Sequence, residues 1–226
     1  MAVRGKARGA AAGAKPAAKQ ADEPEKRPLG RRERNKLEKR ARIVAAARRL
    51  FGEKGFQETT TQEIAEAADI GIGTLFLYAR SKEDLLVMVF RDEMIETAHA
   101  AFARLRPGEP LLDQLMRVFQ SMMDYHGRDV GLARILLKEI MFQATDERMA
   151  DITGLLKIIY AGLAELLVVA RKSGAYKSDA DPLLVAEVLF ANYYMDLLGW
   201  LGGRLTKRQT LDAMRKHLAI VVGCAV

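Results

Sequence analysis

The sequence predicts an all-α fold, and three observations predict it. Apolar residues recur three or four apart from Arg34 onward, no stretch alternates with a period of two, and helix-start patterns recur along the chain. The 226 residues are half hydrophobic and only 7% aromatic, with 18 Gly and 6 Pro. That is enough chain to bury a sizeable core without disulfide or metal staples.

The first helix begins near Arg34, where Leu37, Ile43, Val44, Ala47, Leu50 and Phe51 share one face opposite a basic one; Gly55 ends it. Thr60 with Glu63 three residues on is a capping-box pattern for a short second helix that turns Ile64, Ala65 and Ala68 inward. Asp69, Ile70 and Gly71 break it, and Ile72 to Ala79 form a third short helix with Leu75 buried. Ser81 and Asp84 then open a long helix through Leu85, Leu86, Val89, Phe90, Met94 and Phe102 to a stop at Pro107 and Gly108. Helices are expected next at 111 to 126, 129 to 143 and 151 to 173. Asp181 and Pro182 start an apolar helix to Leu201, and Thr206 with Gln209 starts a last one to Val222.

Charge is unevenly placed. The net charge is +7, and residues 1–42 hold 14 Lys and Arg against 5 Asp and Glu, so the remainder is slightly acidic. A basic segment over 1–33 suits a polyanion such as nucleic acid, or an anionic membrane surface; its Ala, Gly, Lys and Pro content also suits a disordered, solubilising arm. The lone cysteine, Cys224, allows no internal disulfide and fits a reducing compartment. Glu187 and Asp196 interrupt the apolar stretch from Leu183 to Leu201, so no membrane span is expected. The first twenty residues lack an apolar run and no Ser precedes Ser81, so no cleaved address is expected. The expected place of action is the cytoplasm, at the nucleoid.

Enzymatic readings find little support. His99, His126 and His217 are far apart, no Gly-rich phosphate loop occurs, and Cys224 has no adjacent base. Tyr125 and His126 are helix neighbours that point about 100° apart and cannot serve one reacting atom. Asp146, Glu147 and Asp151 read as a solvated turn rather than a metal site. No catalytic residue, metal or cofactor is expected.

Two short helices around a tight turn, backed by a third, make the helix-turn-helix arrangement that lays a recognition helix in the DNA major groove. The run from Arg42 to Leu86 carries Leu50-Phe51, Gly55-Phe56, paired Thr before Ile64-Ala65, Gly73-Thr74-Leu75 and Ser81-Lys82-Glu83. It resembles the DNA-binding domain of the tetracycline-repressor (TetR) family across all three helices. The resemblance implies a homodimer whose N-terminal helices hold operator DNA and whose variable helical C-terminal domain binds a small effector that releases it. The expected division is an arm over 1–33, a DNA-binding domain over 34–81 with the helix-turn-helix at about 60–79, and an effector and dimerisation domain over 82–226.

Individual roles follow from chemistry. Thr60 or Thr61 and nearby backbone N–H groups can hold a phosphate, and Gln62 can pair with an adenine edge. Gly73 permits close approach, Thr74 offers a hydroxyl and a methyl, and Tyr78 and Lys82 can reach phosphates. Ile72 and Leu77 give the reading face an apolar character suited to thymine methyls. The chain departs from the family pattern at Asp69, where Gly is usual, at Phe76, where a phosphate-binding Tyr is usual, and at Ala79, where an aromatic packs. Phe76 therefore inherits no phosphate role.

In the C-terminal half, Leu183, Val188, Leu189, Leu197, Leu198, Leu211, Met214, Leu218 and Val221 on the last two helices are the expected dimer interface, matching a palindromic, double-stranded operator. Candidates for the effector pocket are His99, Met122, Met123, Tyr125, His126, Met141, Phe142, Tyr160, Tyr193, Tyr194 and Trp200, soft or polar groups among apolar ones that suit an apolar or aromatic effector. The expected function is a transcriptional repressor released by a small molecule. The alternative is a non-enzymatic helical ligand-binding or scaffold protein with a nonspecific basic arm.

Overall fold

A computed structural model describes residues 30–106, 108–142 and 145–223. The arm up to residue 29, the stop at Pro107 and Cys224 lie outside the described residues.

The described residues form nine helices and no strand. Helix α1 (Arg31–Lys54) starts ahead of the expected Arg34, with the Arg34 N–H already donating to the Gly30 carbonyl at 3.0 Å. Leu37, expected on the apolar face, is 51% exposed, because the buried apolar face of α1 starts only at Ile43. Thr60 caps α2 (Thr61–Ala67) through a complete capping box, its hydroxyl accepting from the Glu63 N–H at 3.2 Å while the Glu63 carboxylate accepts from the Thr60 N–H at 3.0 Å.

Asp69 makes the following turn in the left-handed region, at φ 53°, a conformation that Asp tolerates better than most non-Gly residues. Helix α3 (Ile72–Leu75) is shorter than expected. The chain continues to Ala79 in hydrogen-bonded turns, with Tyr78 N–H donating to the Leu75 carbonyl at 2.8 Å.

Ser81 and Asp84 form a second capping box that starts α4 (Lys82–Ala103). Then come α5 (Leu111–His126), α6 (Val130–Phe142), α7 (Asp146–Lys172), α8 (Pro182–Leu201) and α9 (Lys207–Val222). Helix α7 begins at Asp146 rather than 151, because the Thr145 hydroxyl accepts from the Arg148 N–H at 3.3 Å. Asp146 and Glu147 thus belong to a first helical turn, where the helix dipole favours acids, and not to a solvated turn. Asp151 pairs with Arg40 of α1 and Arg91 of α4, each at 3.4 Å.

Helix α1 packs on α2 and α4, and α2 on α3. At the centre of this head Ile43, Ile64, Leu75 and Leu85 are each 0% exposed, which contributes about 1.5–3 kcal/mol per side chain. Thr59 is buried beside them; its hydroxyl lies 2.8 Å from the Gly55 carbonyl and 3.2 Å from that of Leu50, within reach of donating to either, and so ties the end of α1 to the start of α2. Beyond the head, α4 runs on against α5, α6 and α7, and the bundle closes through α7 on α8, α8 on α9 and α5 on α9. One continuous apolar core links head and bundle. By length and composition α7, not the stretch from Leu183 to Leu201, is apolar enough to cross a membrane; it turns Leu155, Ile159, Leu163 and Leu167 into the bundle core.

Candidate functional site

The outer face of the head is built by α2, α3 and the turns after them. Gln62 is exposed on α2, its amide donating to Glu66 at 2.9 Å, and Thr61 beside it is half-buried. Glu63 accepts hydrogen bonds from Lys54, foremost, and from the Thr60 backbone, which together lower its pKa to about 2 and keep it ionised. Gly73 is open, with no atom near the position a side chain would take, and Thr74 is half-buried next to it. Leu77 projects furthest, 83% exposed, with Phe76 at 46%.

Two residues sit differently from expectation. Ile72 is half-buried against the core rather than on the exposed side, because the short α3 rotates it inward beside Leu75. Lys82 donates to the Gln57 carbonyl at 2.9 Å and lies 4.6 Å from the centre of the Phe56 ring, so its ammonium braces the loop after α1. Tyr78 is also half-buried against the core. The first turns of α1 carry exposed cations at Arg31, Arg32, Lys36 and Lys39.

Inside the bundle lies a cavity of about 370 Å³. Phe90 and Met94 of α4, Met122 and His126 of α5, Leu137 and Ile140 of α6, Ile152, Leu155, Leu156, Ile159 and Tyr160 of α7, and Phe190, Ala191, Tyr193, Tyr194 and Leu197 of α8 line it. No Lys, Arg, Asp or Glu is among them. Burial lowers the pKa of His126 to about 4, so its ring is neutral at pH 7, and burial raises that of the Tyr193 phenol. The wall is therefore uncharged throughout.

Of the pocket candidates, His126, Tyr160, Tyr193, Met122 and Tyr194 line this cavity. The others do not. His99 is exposed on the outer side of α4, and Met141 and Phe142 are 43% and 77% exposed at the end of α6. Met123 is fully buried in ordinary packing, and Trp200 lies under the ammonium of Lys207. Tyr125 faces a separate space of about 110 Å³ and donates to Glu93 at 2.7 Å. The aliphatic wall from α6 and α7 was missed in the sequence, where nothing sets Leu155 or Ile159 apart from other core residues.

The comparisons with known proteins agree with this geometry. The family profile described as "Bacterial regulatory proteins, tetR family" matches residues 43–89, from the middle of α1 through the first turns of α4. Residues 43–89 match the DNA-binding part of the tetR family. Over 186 residues it is 24% identical to the transcriptional repressor KstR of Rhodococcus jostii, covering 82% of this chain and 84% of that protein. Over 167 residues it is 24% identical to the fatty acid metabolism regulator protein of Bacillus subtilis, covering 74% and 86%. Among solved structures it is similar to Thermus thermophilus FadR, a repressor of the same family in complex with lauroyl-CoA, at 26% identity and a TM-score of 0.66 over 83% of this chain and 95% of that one. The match marks a DNA-binding transcriptional regulator, and the proteins it resembles are named as repressors.

The expected dimer interface needs correction. Leu189, Leu197, Met214 and Leu218 are at most 1% exposed inside the single chain and cannot meet a second copy, because they are the packing between α8, α9 and their neighbours. Leu198, Leu211 and Val221 are half-buried in the same packing. Leu183 and Val188 stay exposed, at 47% and 44%. The apolar stripe left uncovered is Leu184, Val188, Ala191 and Met195 along α8, with Ile220 on α9.

Proposed function

We propose that the protein is a repressor that reads its operator with the exposed tip of the head and is released by an amphiphile whose apolar chain fills the bundle cavity. In this reading Gln62, Gly73, Thr74 and Leu77 face base edges, while Thr60, Thr61 and Tyr78 set the register on phosphates. Ile72 and Lys82 support the tip from behind. The head is residues 34–81, extended by the first turns of α1, whose cations together with the 1–33 segment add sequence-independent affinity. The bundle is residues 82–226. Two copies pair through the α8 stripe and Ile220, which gives the two-fold symmetry a palindromic operator requires. The protein acts in the cytoplasm, at the nucleoid, without a catalytic step.

The observation that carries the effector reading is a cavity with no charged side chain in its wall. A buried ion would be heavily penalised there, so the part of the ligand inside is uncharged and any charged head stays at the mouth. A long-chain acyl thioester meets that description, and FadR of Thermus thermophilus holds one, lauroyl-CoA. The test is to select an operator from a random DNA pool, then titrate its complex with acyl-CoAs of different length and follow release by fluorescence anisotropy. Lauroyl-CoA should release the DNA, octanoyl-CoA should need on the order of a hundredfold more, at roughly 0.8 kcal/mol per buried methylene, and free coenzyme A should do nothing. Release that is independent of chain length would refute the reading.

A further inference from the structure

A buried charge cluster lies between the cavity and the head, and neither reading DNA nor holding a ligand uses it. Arg148, in the first turns of α7 and only 8% exposed, donates through Nε to Asp84 of α4. Its Nη1 donates to Glu139 of α6 at 2.7 Å and its Nη2 to the Ser81 hydroxyl at 3.2 Å. The second oxygen of Asp84 accepts from the Ser81 and Arg80 backbone N–H groups at 3.1 and 2.8 Å. One guanidinium thus fastens three helices at the N-cap of α4, where the head becomes the bundle.

A buried ion pair is weak grounds for stability, since desolvation offsets most of the attraction; what a planar, five-donor fork supplies is fixed geometry among its partners. Those partners are placed to feel the cavity. Glu139 lies on α6 between Leu137 and Ile140, both cavity-lining, and Arg148 precedes the cavity-lining Ile152 by one turn of α7. A body that spreads α6 from α7 acts on two arms of the same guanidinium.

We propose that Arg148 is the positioning residue through which cavity occupancy reaches the DNA-reading head. Filling the cavity draws Glu139 away from Arg148, loosens its hold on Asp84 and Ser81, and lets the N-terminus of α4 shift with the head attached. This rests on the reading of the cavity as the effector site.

The experiment measures operator affinity with and without two perturbations, saturating lauroyl-CoA and the substitution Leu156→Trp, which fills the same space without a ligand. In the wild-type protein either one should weaken operator binding by about tenfold or more, within the usual range of coupling between sites. In Arg148→Gln and Glu139→Gln that ratio should fall towards one, while lauroyl-CoA still binds. Glu139→Gln decides the matter where circular dichroism finds Arg148→Gln unfolded. If lauroyl-CoA does not bind the wild-type protein, the acyl-thioester reading fails and the Leu156→Trp arm still tests the relay. A ratio unchanged in folded variants, or a wild-type operator affinity that neither perturbation moves, overturns the proposal.

Discussion

The ring of Phe102 lies where position 162 would need a β-carbon: a Cβ built on Gly162 would meet it at 2.5 Å. Helices α4 and α7 cross there, beyond the cavity as seen from the head, and the absent side chain sets how closely they approach. Their separation at the cavity is held from two ends, by this crossing and by Arg148.

Gly162→Ala should therefore destabilise the protein by about 1–3 kcal/mol, the usual cost of overpacking, despite alanine's better helix propensity. Urea unfolding would measure it. Phe102→Leu in the same chain should recover most of the loss; a Gly162→Ala protein as stable as wild type would mean the ring moves aside freely.

Thr59 predicts a loss of similar size from a different cause. Thr59→Val keeps the shape and removes the hydroxyl that can reach the Gly55 and Leu50 carbonyls. About 1–3 kcal/mol should go, because whichever buried acceptor it served is left unmatched. Thr60→Val, by contrast, removes an exposed cap and should cost about 1 kcal/mol.

The pH dependence follows from His126. The unfolded chain takes up a proton on this ring near the ordinary value of 6.5, whereas the folded protein does so only near 4. The unfolded state therefore binds more protons between those values. Stability is at its full value above pH 6.5 and falls by roughly 3 kcal/mol as the pH drops to 4. His126→Phe should remove that part of the slope in urea titrations at pH 7, 5.5 and 4.

On the DNA side, charge and shape should separate cleanly. Leu77→Ala should weaken operator binding and leave both stability and the salt slope unchanged, since the side chain is exposed and uncharged. Replacing Arg32, Lys36 and Lys39 with Ala should flatten the salt slope by about one for each phosphate no longer neutralised, while keeping the base preference. Gln62→Ala should relax preference at a single base pair, by about 1–3 kcal/mol if the amide reads adenine. Equal losses on operator and random DNA from Gln62→Ala would remove it from the reading face.

Local signals in the sequence proved most legible where the chemistry itself is local. The capping boxes at Thr60/Glu63, Ser81/Asp84 and Thr206/Gln209 are all formed, each by side chains three residues apart that need no tertiary partner. The start of α7 was missed because position 148, where a capping box has an acid or amide, holds Arg148, a residue engaged in the junction instead. The pocket was half legible: residue type singled out His126 and Tyr193, but helix face, which no local pattern reveals, decides that His99 points away. Leu189, Leu197, Met214 and Leu218 of α8 and α9 went to the chain's own core, so the uncovered stripe emerges only once that core is subtracted.

Ala191 stands both in the cavity wall and on the uncovered stripe of α8. In the pairing proposed along that stripe, each subunit's neighbour would cover the outer side of the cavity wall at Ala191. Effector titrations should then depend on protein concentration: dilution that splits the pair would change how fast the cavity fills as well as how well the operator is held.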